Sequence, residues 1–366
     1  MSLSNYRQTT VPLQKLSFSD NLALMPIPMV NIREVAHAVE IFDRIAPPAM
    51  VDRALRAAGL NRKVLRVKTG FVPYYLQATI FEHMARAIGD TNIVLRGAQT
   101  FDYSTFGAYS KFVLAAPNLK TAFARGRLAL PMTHPGADVF VKTTEEYAFV
   151  HFRSGLEQVV GGQYVEEGAV SVMFNVFRHF LGNSWKPAWV ELAGNIQSRI
   201  GDIEEIVGTE VRASAVSPAI CFPVQDLTAP NPRPQQPNEL ITLSELPELM
   251  GVTSPKSMSD LVSEILRIQL ELGDMSEESV CRRLLIGSRK LQRVLKTEGT
   301  NFREIKSTFI QDRACELLSK TDFSVGQIAD ALGYSEPDNF RRFFKKSTGF
   351  TPGEYKAVHT ESKHYQ

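Results

Sequence analysis

Residues 324–349 read SVGQIADALGYSEPDNFRRFFKKSTG, and this order of caps, apolar positions and glycines predicts two short helices joined by a tight turn. Ser324 can cap the first helix, Ile328 lies on its apolar face, and Gly333 supplies the turn. A second helix follows with Pro337 in its first turn, where a missing amide hydrogen is tolerated. Helix, short glycine turn and helix is the plan of the helix-turn-helix motif.

A second stretch with the same order lies upstream, at residues 276–299, and reads SEESVCRRLLIGSRKLQRVLKTEG. Ser276 can cap its first helix, and a turn is expected at Ile286–Gly287. Ser288 can cap a second helix that ends near Glu298. The sequence therefore predicts two helix-turn-helix units in tandem.

Positive charge is concentrated in the second helix of each unit. Residues 282–296 contain six Lys or Arg and no acid, and residues 341–346 contain four and no acid, although the whole chain has a formal net charge of only +2. Such a local surface suits phosphates, whose neutralisation releases counterions. A charge run alone is more often a solvated face, so it is the duplicated motif that favours DNA.

The last hundred residues resemble the DNA-binding domain of AraC/XylS-type transcription regulators, most clearly at SRKLQRVLKTEGTNF (288–302) and IADALGYSEPDNFRRFFKKSTGFTPGEYK (328–356). The resemblance implies that each second helix enters a major groove of double-stranded DNA, with the two sites ~34 Å apart. The first unit departs from the family pattern at Cys281 and at Leu285–Ile286, where small or glycine-containing sequences are usual. A difference is therefore expected at that turn.

The same resemblance indicates which side chains face DNA. Arginine can bridge O6 and N7 of guanine and glutamine can pair with adenine, so polar residues of the two second helices are the base-facing candidates. They are Ser288, Arg289, Gln292 and Arg293 in the first unit, and Glu336, Asp338, Asn339 and Arg342 in the second. The lysines are expected to hold phosphates: Lys290, Lys296, Lys345 and Lys346. Phe340, Phe343 and Phe344 are predicted to be core residues.

Composition narrows the class of protein. Apolar residues make up 44% and charged residues 22% of the 366, which is ordinary for a globular protein. Three cysteines without a CxxC pair indicate neither a disulfide framework nor a zinc site. A polar start and the absence of a long apolar run predict neither a signal peptide nor a membrane span, so the expected location is cytoplasmic.

One break divides the chain: APNPRPQQP, at residues 229–237, contains four prolines. Proline restricts the backbone and removes donors, so this segment is expected to be extended. The predicted domains are a ligand-binding domain at 1–228, a proline-rich linker at 229–240, a helical linker or hairpin at 241–274, and the double helix-turn-helix domain at 275–366. Residues 257–273 carry a heptad-like apolar stripe that either packs locally or forms a dimer seam.

The fold class predicted for the whole chain is α+β. In the first domain, periodicity predicts helices at 51–60, 73–90, 118–126 and 173–182, and strands at 91–110, 137–152 and 210–224. A small barrel or sandwich is the expected core. The domain also resembles, more faintly, the cupin-like β-barrels with helical decoration of AraC-type regulators.

Enzyme chemistry has little support in the sequence. A cupin enzyme needs clustered metal-binding histidines, often as HxH, and none of the histidines forms such a pair. GxSxG and phosphate-binding GK[ST] motifs are also missing. We therefore expect no catalytic residues and no metal, and an enzyme with an appended DNA-binding domain is a weak alternative.

Two short motifs in the first domain point to an effector. RKVLRVK (62–68) contains RxxxR, and DYSTFG (102–107) fits DxSxxG; together they resemble the signature of PilZ domains, which are receptors for cyclic di-GMP. The resemblance implies that arginines bind its phosphates and guanines, while the aspartate accepts from guanine N–H groups. The implied ligand residues are Arg62, Arg66, Asp102, Ser104 and Gly107. The alternative is that these residues bind no ligand, and that Arg62 and Arg66 form a solvated helix face and Asp102 a turn.

This combination resembles cyclic di-GMP-responsive regulators of the AraC family. It implies a transcription regulator, more often an activator, whose ligand promotes homodimerisation and DNA binding, with RNA polymerase as a further partner. Extracellular polysaccharide genes are the expected targets by association. The alternative is an AraC-type regulator that responds to a small metabolite, with the arginines incidental.

Overall fold

The computed structural model describes residues 27–67, 69–214, 217–236 and 239–361, so Lys68 of the RKVLRVK segment lies outside the described residues. The chain divides into two compact units between Ser254 and Pro255. Residues 241–254, expected to be part of a linker, belong to unit 1, and the helix predicted at 257–273 belongs to unit 2. No described helix is long and apolar enough to cross a membrane.

Unit 1 is mostly helical. Its α-helices are α1 (Ile32–Ile45), α2 (Pro48–Ala57), α3 (Tyr74–Ile88), α4 (Ile93–Ala98), α5 (Ala108–Leu114), α6 (Leu119–Ala129), α7 (Gly162–Leu181), α8 (Ile200–Val207) and α9 (Leu246–Met250). The helices predicted at 51–60, 73–90, 118–126 and 173–182 are confirmed as α2, α3, α6 and the end of α7. Short 3-10 turns at Val64–Arg66 and Tyr103–Phe106 link several of them.

The strands of unit 1 form two sheets. A two-stranded sheet pairs β1 (Met29–Asn31) with β2 (Phe71–Pro73). The larger sheet contains β3 (Asp138–Thr143), β4 (Tyr147–Arg153), β5 (Trp189–Ala193), β6 (Val211–Ser214) and β7 (Ala219–Pro223), in the order β3-β4-β7-β5-β6. Its pairs are antiparallel except β5 with β6. The strands predicted at 137–152 and 210–224 are confirmed, and TTEE forms the turn of the β3–β4 hairpin.

The expected closed barrel is not formed by the described residues, because β3 and β6 leave the larger sheet with two open edges. Its missing strands were expected at 91–110, and that prediction is wrong: the segment folds as α4, the turn Tyr103–Phe106 and α5. Its buried residues show why. Val94, Leu95 and Ala98 recur at helical spacing, and α4 packs on α7. The β-branched composition of this segment favoured strands in the prediction, whereas its spacing of three to four between apolar residues correctly indicates a helix.

Unit 2 is entirely helical where it is described. It comprises α10 (Met258–Leu272), α11 (Glu277–Arg283), α12 (Ser288–Thr297), α13 (Phe302–Lys320), α14 (Val325–Ala331), α15 (Pro337–Thr348) and α16 (Pro352–Glu361). Ser257 and Asp260 form a capping box at the start of α10. Leu261, Ile265 and Ile268 are buried against α11, α12 and α13. The heptad-like stripe therefore packs inside unit 2 and is not a free dimer seam.

Candidate DNA interface and effector cavity

The first helix-turn-helix unit is α11, a turn and α12. Ser276 caps α11 by accepting a hydrogen bond from the backbone N–H of Ser279. The turn differs from its prediction: Leu285 adopts a left-handed φ of 52°, while Gly287 has φ −78° and caps α12. Ser288 is thus the first helical residue and not the cap. A difference from the family pattern was expected at this turn, and it consists of a leucine, Leu285, in a conformation that usually requires glycine.

The second unit, α14 and α15, follows the predicted plan closely. Ser324 and Gln327 form a capping box, Gly333 turns the chain with φ 79°, and Pro337 begins α15. Phe340 and Phe344 are completely buried in the core of this unit. Phe343 is partly buried against the same core, so the prediction that these phenylalanines pack rather than stack on bases is confirmed.

Helices α12 and α15 each bury one face and expose the other. Leu291 and Leu295 are fully buried on α12, and the predicted DNA-contacting residues of both helices are all exposed. These are Ser288, Arg289, Lys290, Gln292, Arg293, Lys296, Glu336, Asp338, Asn339, Arg342, Lys345 and Lys346. Several already have partners along their own unit: Gln292 Nε2 donates to Glu277 Oε1 at 2.8 Å, and Arg341 pairs with Asp338 at 2.6 Å. To contact a base, Gln292 must break its hydrogen bond with Glu277, and Asp338 must break its ion pair with Arg341.

The structure does not leave Arg62 available as predicted. Its guanidinium makes two hydrogen bonds of 2.8 Å to the carboxylate of Asp43 on α1 and one of 2.6 Å to Asp52 on α2. The hydrogen bonds that Arg62 donates to Asp43, and then the one that it donates to Asp52, raise the pKa of Arg62 above its ordinary value. Bidentate pairing of this kind fixes geometry. Arg62 therefore links two helices, a role its cationic sequence context did not reveal.

Arg66 and the DYSTFG segment do meet. Arg66 and Thr105 line one open concave surface together with Arg33 and His37 of α1. Gly107, with φ 58°, faces Nη1 of Arg33 at 3.8 Å from its would-be Cβ. Arg33, which lies 33 residues before Arg66, was not among the binding residues predicted from the sequence.

Asp102 and Ser104, which are close in sequence to Thr105, form hydrogen bonds with each other. The Asp102 carboxylate accepts from the Ser104 backbone N–H at 2.9 Å and from its hydroxyl at 2.6 Å. These bonds, led by the hydroxyl, lower the pKa of Asp102. The carboxylate is ionised and caps the short turn Tyr103–Phe106. In this arrangement DxSxxG forms a turn, which is the alternative to a binding site. A ligand that binds the Asp102 carboxylate must displace its hydrogen bonds with Ser104.

A second feature of unit 1 was not predicted from the sequence. A partly open, largely apolar cavity of about 120 Å³ lies among α1, α3, α4, α5, α7 and the β3–β4 hairpin. Aromatic side chains form much of its wall: Phe42, Tyr74, Phe81, Phe101, Tyr103, Phe106, Tyr109 and Phe152. Burial raises the pKa of Tyr74, Tyr103 and Tyr109, so these hydroxyls stay neutral.

Three buried polar side chains converge in this cavity. Glu34 on α1 lies 2.7 Å from Nε2 of His134, and it accepts a hydrogen bond of 3.2 Å from Nε2 of Gln77 on α3. Their exposed fractions are 9%, 7% and 3% for Glu34, His134 and Gln77. Oε1 of Gln77 has no hydrogen-bond partner among the described residues. A buried acceptor without a partner costs free energy unless something donates to it.

The sequence did carry a signal for this cluster. Glu34 lies on the same helical stripe as Ala38 and Ile41, at spacings of four and seven. Gln77 interrupts the stripe from Tyr74 to Phe81 in the same way. Polar residues within an apolar helix face are rare unless they are paired or functional. No cluster of His, Cys, Asp or Glu suited to a metal occurs within the described ranges.

Comparison with known families identifies both units. Residues 280–357 match a helix-turn-helix domain model. Residues 49–231, half of the chain, match the arabinose-binding N-terminal domain of AraC transcription regulator. This chain belongs to the AraC family of transcription regulators. It has a helix-turn-helix domain and an N-terminal ligand-binding domain of this family, and the families and proteins that it matches are transcription regulators and not enzymes.

Individual relatives match about a quarter of the chain. The chain is 34% identical over 102 residues to the transcriptional regulator YtdP of Bacillus subtilis, which covers 28% of this regulator and 13% of that protein. It is 33% identical over 85 residues to the ornithine utilization regulator of Pseudomonas aeruginosa, 23% of this chain and 25% of that one. The matched region thus spans a quarter or less of the length of these relatives.

Solved structures give two further likenesses. CdpR from Pseudomonas aeruginosa covers 88% of this regulator and 97% of its own chain, at 18% identity and a TM-score of 0.35. The DNA-binding domain of AdpA in complex with a target DNA covers 29% of this regulator and 97% of its own chain, at 22% identity and a TM-score of 0.25.

Proposed function

We propose that this regulator binds its operator through α12 and α15, and that a small molecule held in the cavity of unit 1 controls that binding. The supporting observation is the cavity itself: apolar and aromatic walls with a few convergent polar groups are typical of ligand sites. The ligand would favour one state of the regulator over another by binding it more tightly.

The test uses a cavity-filling variant of the full chain. Ala169 lies in the cavity wall on α7, so Ala169→Leu occupies part of the space. Ala124→Leu, at an exposed position of α6, is the matched control. Operator DNA is first selected from a random library, and compounds are then screened by thermal shift, since a bound ligand raises the melting midpoint.

The expected result is a compound that raises the midpoint and changes operator affinity in the wild type and in Ala124→Leu, with both effects much reduced in Ala169→Leu. A compound that alters operator affinity equally in all three proteins acts elsewhere and contradicts the proposal.

Cyclic di-GMP is a second candidate, favoured by the surface that Arg33, Arg66 and Thr105 share. The guanidinium group of Arg66 there suits its phosphates and guanines. Because Arg62 is paired with Asp43 and Asp52, we assign the contact to Arg66 and not to Arg62. Activation through RNA polymerase and control of extracellular polysaccharide genes belong to this candidate.

Calorimetry with cyclic di-GMP separates the two arginines. Arg66→Ala is expected to remove binding, Arg62→Ala to weaken folding but not the contact, and Arg53→Ala, an exposed arginine of α2, to change neither. Equal affinity of Arg66→Ala and wild type contradicts this candidate. Ligand-promoted dimerisation, checked by sedimentation with and without ligand, must use a surface other than the buried stripe of α10.

A further inference from the structure

The cavity's polar cluster specifies a class of ligand, an inference that rests on the proposed effector role of the cavity. We infer that the ligand is an uncharged molecule with one ring or a short alkyl body, bearing an N–H or O–H donor that binds Oε1 of Gln77.

Size sets the first limit. An engineered apolar cavity of about 150 Å³ in another protein holds benzene. The cavity here, about 120 Å³, is of the same order. It accommodates one aromatic ring or a few methylene groups, and it is far too small for a dinucleotide such as cyclic di-GMP.

Hydrogen bonding sets the second limit. The carboxylate of Glu34 can only accept, so the amide of Gln77 must turn its NH₂ group toward it, at 3.2 Å. The carbonyl oxygen of Gln77 then has no hydrogen-bond partner within the described part of the chain. Oε2 of Glu34 also has no hydrogen bond there, but it lies 2.7 Å from Nε2 of His134. Two of the nearby hydroxyls are already engaged: Thr133 donates to Leu130 O at 3.1 Å, and Tyr109 to Gly126 O at 3.3 Å. A ligand must therefore donate to Gln77.

Charge sets the third limit. The lining contains neither lysine nor arginine. A ligand carboxylate would lie near Glu34 without a compensating cation other than His134, which Glu34 already contacts at 2.7 Å. A ligand cation would lose its hydration in a mostly apolar space, and the one carboxylate of the lining, Glu34, is already contacted by His134 at 2.7 Å and by Gln77 at 3.2 Å. Both charges are disfavoured, so the ligand is neutral.

Aromatic side chains favour a ring over a chain. The ring centroid of His134 lies 5.2 Å from that of Tyr74 and 6.0 Å from that of Phe106. Phe106 and Phe101 are 5.3 Å apart. Ring contacts at these separations prefer tilted or edge-on partners, so a further ring can join the cluster.

The test compares three one-ring probes with the full-length regulator: phenol, toluene and benzoate. They differ in a donor, no polar group and a negative charge. Thermal shift and calorimetry at pH 8 are expected to rank phenol about three- to tenfold tighter than toluene, which is the usual net effect of one buried hydrogen bond. Benzoate is expected to give no shift.

Variants locate the donor contact. Gln77→Met keeps the length of the side chain and removes the acceptor, so phenol should fall to the affinity of toluene. Gln163→Met, the same substitution at an exposed position of α7, should change nothing. If Gln77→Met does not fold, the comparison of phenol with toluene in the wild type decides alone.

The outcomes separate the ligand class from the effector role. Toluene binding as tightly as phenol, or benzoate binding tightest, overturns the ligand class while leaving the cavity as an effector site. Phenol binding with the stated preference but without any change in operator affinity supports the class and overturns the effector role. Failure of all three probes to bind overturns both.

Discussion

Exchanging leucine and glycine between the two helix-turn-helix turns should change stability in opposite directions. Leu285 follows the C-cap of α11 and has φ 52°, and Gly333 follows the C-cap of α14 and has φ 79°. The two residues therefore occupy the same place in the two units. We predict that Leu285→Gly stabilises unit 2 and that Gly333→Leu destabilises it.

The magnitude follows from strain, because little packing changes. A left-handed backbone costs an L-residue about 1–2 kcal/mol, whereas glycine adopts it freely. Glycine adds about 0.5–1 kcal/mol of unfolded-chain entropy, which offsets part of the gain. Leu285 is 65% exposed, so its removal loses little burial. At Gly333 a new Cβ would meet only Met275 Cε, at 3.7 Å, so no clash adds to the strain. Each exchange should therefore change the free energy of unfolding by about 0.5–1 kcal/mol.

Urea denaturation of the full-length regulator measures the effect in the correct unit. Both tryptophans, Trp185 and Trp189, belong to unit 1, so their fluorescence reports that unit alone. Far-UV circular dichroism also follows the helices of unit 2. Gly287→Ser is the control in the same turn, since its φ of −78° suits any residue and serine is a favoured N-cap, so it should not destabilise. A loss of stability in Leu285→Gly, or an unchanged Gly333→Leu, would refute the strain argument.

Four further predictions concern other parts of the molecule. Gly168→Ala should stabilise α7 by up to about 1 kcal/mol, measured as a higher melting midpoint, because the new methyl group meets Val94 at an ordinary 3.4 Å and alanine favours helix. Burial, and then Lys142 and Arg153, lower the pKa of His151 to about 4. Because His151 is protonated near pH 6.5 in the unfolded chain but not in the folded one, the free energy of unfolding should fall by at most about 3 kcal/mol between pH 6.5 and pH 4. His151→Phe should remove that part of the pH dependence, measured as urea midpoints. Arg62→Ala should cost about 1 kcal/mol, less in high salt, because the ion pairs are partly exposed. In binding assays with matched and mismatched operators, Arg293→Ala should cost roughly 1–3 kcal/mol and relax specificity at one position, whereas Lys346→Ala should weaken all sequences alike.

The C-terminal half was predictable because its signals are local. Caps, glycine turns and apolar spacing act within a few residues, so Ser276, Ser324 and Gly333 could be placed from the sequence alone. The exception is Leu285. Its left-handed conformation follows from the geometry of the turn and not from its own preference, so no propensity could have predicted it.

The N-terminal half was less predictable because its decisive contacts are distant. Residues 91–110 contain β-branched and aromatic residues, and packing of α4 against α7 and of α5 against α6 selects helices for them. Arg62 pairs with Asp43, 19 residues away, and with Asp52, 10 residues away. A cationic run in a sequence does not show which carboxylates will neutralise it in the fold.

The side chains of the DYSTFG segment lie at two different places in unit 1. Asp102 and Ser104 are the residues that resemble a binding signature. In the structure they form a hydrogen bond with each other at the exposed start of a 3-10 turn. Tyr103 and Phe106, the intervening residues, line the cavity, while Thr105 lines the surface beside Arg66. One short turn therefore separates the two candidate effector sites. A ligand that orders this turn from either side would alter the other, so binding of phenol and of cyclic di-GMP should be coupled if both sites are real. Independent affinities, measured by titrating each in the presence of the other, would leave at most one of them as the regulatory site.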